Sequence, residues 1–408
     1  MRKLRVLSIF GTRPEAIKLA PVIYELRRQP EFELRICVSG QHRQMLDQVL
    51  NLFSIVPDYD LNLMRENQGL LAMTAGILNG LEGILAAEKP DIIMTQGDTT
   101  TAFAAALAAF YSRTAVAHVE AGLRTGRKDN PFPEEMNRIL ADALSTWCFA
   151  PTEKAHNNLL REGIPLERIH VTGNTVIDAL RMIRDKQAGA ENQSRLEAEF
   201  RRQYGIELHE GQRLLLVTGH RRESFGPEFE NLCVGLRMVL ETNPDVRIVY
   251  PVHLNPNVQR PVREILGGLD RAHLISPVDY STMVWLLTRC YLVLTDSGGI
   301  QEEAPAFGKP VLVLRKTTER TESIAVGVAR LVGTSSQNIF KEANALLRDQ
   351  SAYRAMARVV NLYGDGAASV RISEVLKSSS GMQLANPRWI PGSAYSGVPI
   401  FTGSNRND

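Results

Sequence analysis

With 408 residues, 44% of them hydrophobic and 23% charged, the chain is too long for one simple core, and a two-domain α/β protein is the default expectation. A formal net charge of +2, with no run of basic residues, argues against a nucleic-acid binder. No unbroken apolar stretch of membrane length stands out, and Met1-Arg2-Lys3 leads straight into a strand-like run, so no membrane insertion and a cytoplasmic protein are expected.

Apolar runs at 4–10, 34–39, 91–95, 115–119 and 147–150 read as buried strands. Amphipathic stretches such as 14–28, 70–88 and 99–111 read as helices between them, so the first half predicts a parallel sheet with crossover helices. The strand ends carry the chemistry. Gly11-Thr12-Arg13-Pro14-Glu15-Ala16-Ile17-Lys18 follows the first strand, with Pro14 suited to a first helical turn and Arg13 and Lys18 near the mouth of a crevice. Arginine matches phosphate because its planar fork donates two hydrogen bonds at once; a surface Arg and Lys pair is the plainer reading. Gly97-Asp98-Thr99 follows another strand, and Asp98 or Thr99 could simply cap the next helix. Glu120, in His118-Val119-Glu120-Ala121-Gly122-Leu123-Arg124, closes a strand facing the crevice, while Glu134 and Glu135 occupy a first helical turn that the helix dipole alone could explain.

The second half repeats the scheme with strand-like runs at 214–218, 246–252, 292–295 and 311–314. His220 ends the first of these, a position where a histidine in a binding crevice deserves a test against a structural role. Asp296-Ser297-Gly298-Gly299-Ile300-Gln301-Glu302-Glu303 is a buried strand ending in two glycines that open a helix. Such a turn lets a phosphate approach bare N–H groups at the positive end of the helix dipole, with Glu303 one turn on for a ribose. A nucleoside diphosphate or its sugar conjugate is the natural ligand class; a tight strand–helix turn of an ordinary α/β sheet is the plain alternative, since glycine pairs are common punctuation. The expected architecture is α/β, two Rossmann-like domains facing a cleft. The expected divisions are 1–173 with a returning helix at about 366–378, then 174–365, then a flexible tail at 379–408 rich in Ser, Gly, Asn and Pro.

No Gly-x-Gly-x-x-Gly follows the first strand and no Walker-type Gly-Lys-Thr/Ser occurs, so neither a tightly held dinucleotide nor an ATPase is expected, and no cofactor is assigned. Cys37, Cys148, Cys233 and Cys290 are widely spaced in mostly apolar runs and read as small buried thiols; no histidine pair has metal-ligand spacing, and no metal is expected.

Taken together, these segments resemble the UDP-N-acetylglucosamine 2-epimerases of the non-hydrolysing bacterial type. The likeness runs in order from residue 4 to about 377 and includes Gln41-His42-Arg43-Gln44-Met45-Leu46, Pro251-Val252-His253-Leu254-Asn255-Pro256 and Tyr363-Gly364-Asp365-Gly366. The resemblance implies a glycosyltransferase-B type fold, a homodimer, and interconversion of UDP-N-acetylglucosamine with UDP-N-acetylmannosamine for cell-surface polysaccharides. It implies Asp98, Glu120, Glu134 and His220 as catalytic residues. Arg13, Lys18, Ser297, Gly298, Gly299, Glu303 and Arg320 would contact UDP, and Gln41, Gln44 and His253 would lie at an activator site used by some members. Met283 stands where an aromatic wall for uracil is common, Thr321 replaces a usual proline, Lys316 an acidic residue, and Asn67 an arginine of that activator site.

The implied chemistry suits the residues. The C–H bond at carbon 2 has no conjugated carbonyl, so elimination of UDP to a 2-acetamidoglucal, followed by re-addition, makes inversion feasible without a redox cofactor. Two other readings share the scaffold: a glycosyltransferase passing the sugar to an acceptor, and a UDP-sugar sensor without turnover, which would have no need of the four acid–base residues.

Overall fold

The computed structural model describes residues 2–40, 43–63, 68–208, 211–221 and 224–378. The chain divides into two compact units. One comprises the described residues of Met1–Ala179 and Tyr363–Asp408, the other Leu180–Leu362; the division falls inside the helix Thr175–Lys186.

The first unit is built on a parallel sheet of β1 (Leu4–Phe10), β2 (Phe32–Val38), β3 (Tyr59–Asp60), β4 (Ile92–Gln96), β5 (Ala115–Val119), β6 (Trp147–Ala150) and β7 (Ile169–Val171), in the order β3-β2-β1-β4-β5-β6-β7. The central strands are buried on both faces, which is why they read as unbroken apolar runs. The second unit repeats the plan with β8 (Arg213–Thr218), β9 (Val246–Pro251), β10 (Ala272–Ile275), β11 (Leu292–Thr295), β12 (Val311–Val313) and β13 (Ala329–Leu331), ordered β10-β9-β8-β11-β12-β13 and again all parallel. The α/β class is therefore as expected, with β3, β7, β10 and β13 added at or near the sheet edges.

In each sheet the strand order reverses once, between β1 and β4 and between β8 and β11. Strands leaving such a point in opposite directions splay their following loops apart and open a crevice at their carboxyl ends. Gly11–Lys18 follows β1, Gly97-Asp98 follows β4, Gly219-His220 follows β8, and Asp296–Gly299 follows β11. Four motifs singled out by sequence thus occupy both flanks of both switch points.

One helix is longer and more apolar than its interrupted sequence suggests. The helix Leu70–Glu88, 19 residues with mean hydropathy 1.6 over its best window, is long and apolar enough by length and composition to cross a membrane. Alternating glycines, alanines and leucines hide that length from a search for solid apolar runs. In the fold it is a crossover helix: Met73, Ile77, Leu81 and Leu85 recur every fourth residue and enter the core of the first unit beside the helix Thr100–Tyr111. All four cysteines are buried free thiols, as the sequence suggests. Polypeptide returning to the first unit forms the helix Ala368–Ser378, whose buried Arg371 donates to the Thr172 carbonyl at 3.0 Å and to both Asp365 oxygens.

Candidate functional site

At the first switch point a single buried carboxylate ties the two loops together. Glu15, 1% exposed, accepts from the Gly11 and Thr12 N–H groups at 3.0 and 2.7 Å through Oε2, and from the Thr99 hydroxyl at 2.7 Å through Oε1. Burial pushes its pKa up, against those hydrogen bonds. It also completes the capping box at Thr12 that starts the helix Arg13–Arg28, leaving Arg13, partly exposed, as the first helical residue.

Thr99, not Asp98, caps the helix Thr100–Tyr111, accepting from the Ala102 N–H at 3.0 Å. The Asp98 carboxylate instead accepts from Arg138 Nη2 at 2.5 Å, and Asn137 donates to the Asp98 carbonyl at 2.9 Å. Both partners lie on the helix Glu134–Leu144, which follows the cis peptides Asn130–Pro131 and Phe132–Pro133. Its two leading carboxylates differ. Glu135 is buried and takes the Thr125 and Gly126 N–H groups, each at 2.9 Å, whereas Glu134 remains partly exposed.

Glu120 is the most unusual residue of this half. Its φ of +69° lies in the left-handed region, uncommon for a non-glycine residue, and it is 6% exposed. Its carboxylate receives Lys18 Nζ and Gln96 Nε2. Lys18 therefore reaches a carboxylate expected to be catalytic, in addition to any phosphate role, and the ammonium is the partner a buried carboxylate needs.

The second switch point has the same construction. Asp296, 1% exposed, accepts the His220 and Arg221 N–H groups at 2.7 and 2.8 Å through Oδ2, and its Oδ1 lies 3.4 Å from His220 Nδ1. The His220 ring stacks on His253, centroids 5.4 Å apart and 13° from coplanar. His253 Nδ1 accepts from the Asn255 N–H at 3.1 Å, and burial together with His220 pushes its pKa down, so it is a neutral platform.

Gly298 opens the helix Gly298–Ala306, with Ser297 at its cap. A Cβ on Gly298 would lie 3.1 Å from the Arg320 guanidinium carbon, and one on Gly299 would lie 3.8 Å from Glu303 Oε1. Arg320 is fixed over this helix start by Glu302 at 2.8 Å and by Glu319. Glu319 is itself held at a pKa of about 2, since Arg320 and Arg315 outweigh burial. A planar cation, the N–H groups of a helix start and the dipole's positive end thus coincide, which is the chemistry that suits a diphosphate. Met283 is partly buried against the core on the helix Tyr280–Arg289.

Sequence reasoning missed Glu15 and Asp296 as site residues. Both stand in the motifs it quoted, but their role is to bind loops brought together only by the fold. Gln41, the Gln44 side chain, Asn67 and the tail 379–408 lie outside the described residues.

Comparison with known proteins places the chain in a family. The family model described as UDP-N-acetylglucosamine 2-epimerase matches residues 24–377. The UDP-N-acetylglucosamine 2-epimerase of Salmonella typhimurium is 56% identical over 375 residues, covering 92% of this chain and 99% of that protein; the Escherichia coli K12 enzyme is 54% identical over 376 residues, with the same coverage. Among solved structures, the Neisseria meningitidis UDP-GlcNAc 2-epimerase bound to UDP-GlcNAc superposes with a TM-score of 0.87 at 46% identity, covering 92% of this chain and all of that one. The Methanocaldococcus jannaschii enzyme in complex with UDP-GlcNAc and UDP gives 0.77 at 33% identity, again covering 92% of this chain and 100% of that one. Matched by that family model over most of its length and more than half identical to these relatives, this chain belongs to the UDP-N-acetylglucosamine 2-epimerase family.

Proposed function

We propose that the protein is a non-hydrolysing UDP-N-acetylglucosamine 2-epimerase, acting in the cytoplasm on UDP-N-acetylglucosamine and UDP-N-acetylmannosamine to supply cell-surface polysaccharide synthesis. What supports this reading is, in one unit, the helix start at Gly298-Gly299 under Arg320 and, in the other, Asp98 held by Arg138, Glu120 buried against Lys18, and Glu134 at the start of the helix that carries Arg138.

The anomeric C–O bond breaks with its electron pair going to UDP, whose diphosphate rests on the Gly298–Gly299 N–H groups, Arg320, Arg13 and His220. A carboxylate removes the carbon 2 proton, and the C–H pair becomes the double bond of the 2-acetamidoglucal. A second carboxylic acid returns a proton to the opposite face while a UDP oxygen re-forms the anomeric bond. Asp98, Glu120 and Glu134 share these transfers and balance positive charge on the ring. Glu303 holds the ribose and Met283 gives uracil an apolar surface. Gln41, Gln44 and His253 are the candidates for an activator subsite. No cofactor is required by this sequence of steps.

Incubation with UDP-N-acetylglucosamine in heavy water, followed by proton NMR, tests the proposal. Deuterium at carbon 2 accompanying UDP-N-acetylmannosamine is the expected result. Release of free N-acetylmannosamine with UDP would assign hydrolysis instead, and transfer to an acceptor without exchange would assign a glycosyltransferase. The diphosphate assignment has its own check. Arg320→Lys keeps the charge facing Glu302 but loses the planar fork, and is expected to weaken UDP binding about 10-fold by calorimetry. Unchanged affinity would remove Arg320 from the site.

The same proposal makes the protein a homodimer. The outer face of the helix Leu70–Glu88 suits a second copy: Leu71 is 89% exposed, and Ala72, Ala75, Gly83 and Ala86 along the same helix are exposed with only Glu82 charged among them. Ala75→Arg, benign on a solvent-facing helix, is expected to yield monomers by sedimentation velocity, and a monomeric wild type would end the assignment.

A further inference from the structure

His118 lies at the carboxyl end of β5, two residues before Glu120, and is fully buried. Its Nε2 is 2.7 Å from the Gly97 carbonyl oxygen and its Nδ1 is 2.6 Å from Asp142 Oδ1. A carbonyl only accepts, so Nε2 carries hydrogen. The other oxygen of Asp142 accepts the Gly122 N–H at 3.1 Å and Arg124 Nη2 at 2.7 Å, the pattern of an ionised carboxylate, so Nδ1 must carry hydrogen as well. Both ring nitrogens are donors, and the buried ring is an imidazolium.

The cation's contacts reach the segments that carry each carboxylate assigned to proton transfer. Through the Gly97 carbonyl it fixes the residue preceding Asp98. Through Asp142 it fixes the Gly122 N–H, two residues beyond the strained Glu120. Asp142 itself belongs to the helix that begins at Glu134 and carries the Arg138 that holds Asp98. We propose that His118 is a positioning residue for the reaction: an imidazolium donating from both ring nitrogens that, with Asp142, locks the Asp98 turn, the Glu120 turn and the Glu134 helix into one rigid unit. This rests on the epimerase reading of those three carboxylates.

The electrostatics agree. Burial, the largest influence, works against charge on His118, yet Asp142 and the Gly97 carbonyl overcome it and leave its pKa above the ordinary histidine value. Asp142 is likewise pulled below the usual carboxylate range, in spite of burial, by His118 and Arg124. The charged groups of the cluster are Asp142, Arg124 and, on the outer side of Arg124, Glu162 at 2.6 Å. Cys148, whose thiol donates to the Asp142 carbonyl at 3.7 Å, is pushed well above its ordinary value by burial and stays neutral. Because pre-organised groups lose much of their effect when displaced by an ångström or so, loosening this lock should act on turnover far more than on UDP affinity.

The test combines nitrogen NMR of the wild-type ring with His118→Gln and His118→Phe. In the wild type both His118 ring nitrogens are expected to keep protonated-type shifts above the pH at which an ordinary histidine loses its proton; a ring that titrates at the ordinary histidine value would overturn the proposal. His118→Gln, able to donate to the Gly97 carbonyl, is expected to fold, to bind UDP as the wild type does, and to exchange carbon 2 hydrogen about 10- to 100-fold more slowly at nearly unchanged KM. His118→Phe should lose more. Full exchange rate in a folded His118→Gln variant would defeat the positioning role alone, whereas a wild type that shows no exchange would instead defeat the epimerase reading on which it rests.

Discussion

Glu120→Gln is expected to lower turnover by about 100-fold or more while leaving UDP binding nearly intact. Glu120 has a backbone conformation that a glutamate adopts at a cost of roughly 1–2 kcal/mol, with its carboxylate buried against Lys18 and Gln96. Neither feature has a packing purpose that a smaller or neutral residue would not serve at lower cost, and strain concentrated on one buried acid is a mark of chemistry. The amide keeps the shape but cannot move a proton or balance ring charge. Steady-state kinetics and carbon 2 exchange would measure the loss, and a near-normal rate would strike Glu120 from the mechanism. The same variant settles what Lys18 does. If Lys18 acts through Glu120, Lys18→Met combined with Glu120→Gln costs no more than the worse single change; if Lys18 grips the diphosphate separately, the two losses add.

How far the chain could be read depended on the range of the interactions involved. Central strands such as β4 and β11 are covered on both faces and declare themselves as apolar runs; the edge strands β3 and β13, of two and three residues, carry no such run and exist because a neighbouring strand offers backbone partners. Glycine turns at strand ends located both switch points, since a turn is a local property. The residues that fasten those turns were not legible in the same way. Asp142 sits 24 residues from His118 in a helix that reads as plain amphipathic sequence, and the choice between Asp98 and Thr99 as cap was settled only when Arg138 arrived from another element. Glu15 and Asp296 were visible as letters within motifs, but a carboxylate that bridges two loops is a tertiary fact.

Gly122→Ala is expected to be the most damaging single methyl in the first unit. A Cβ there would lie 2.3 Å from the Ala155 carbonyl oxygen and 2.9 Å from its carbonyl carbon, and the residue has φ +83°. The obstructing atoms are backbone of the helix Glu153–Arg161 and cannot swing aside, so the turn itself must move. Moving it also pulls the Gly122 N–H from Asp142 and its carbonyl from Asn158, now 3.1 and 2.9 Å away. Conformational cost and overpacking together predict a destabilisation of roughly 3–5 kcal/mol, or about 6–20 °C in the melting temperature of a unit this size. Gly126→Ala provides the control. Gly126 has a similar φ of +77° but open space where the methyl would go, so only the conformational cost of roughly 1–2 kcal/mol applies. Calorimetry that found the two variants equally stable would refute the steric argument. A large gap between them, with UDP affinity preserved below the transition and carbon 2 exchange lost only in Gly122→Ala, would tie the packing of this one turn to the placement of Glu120.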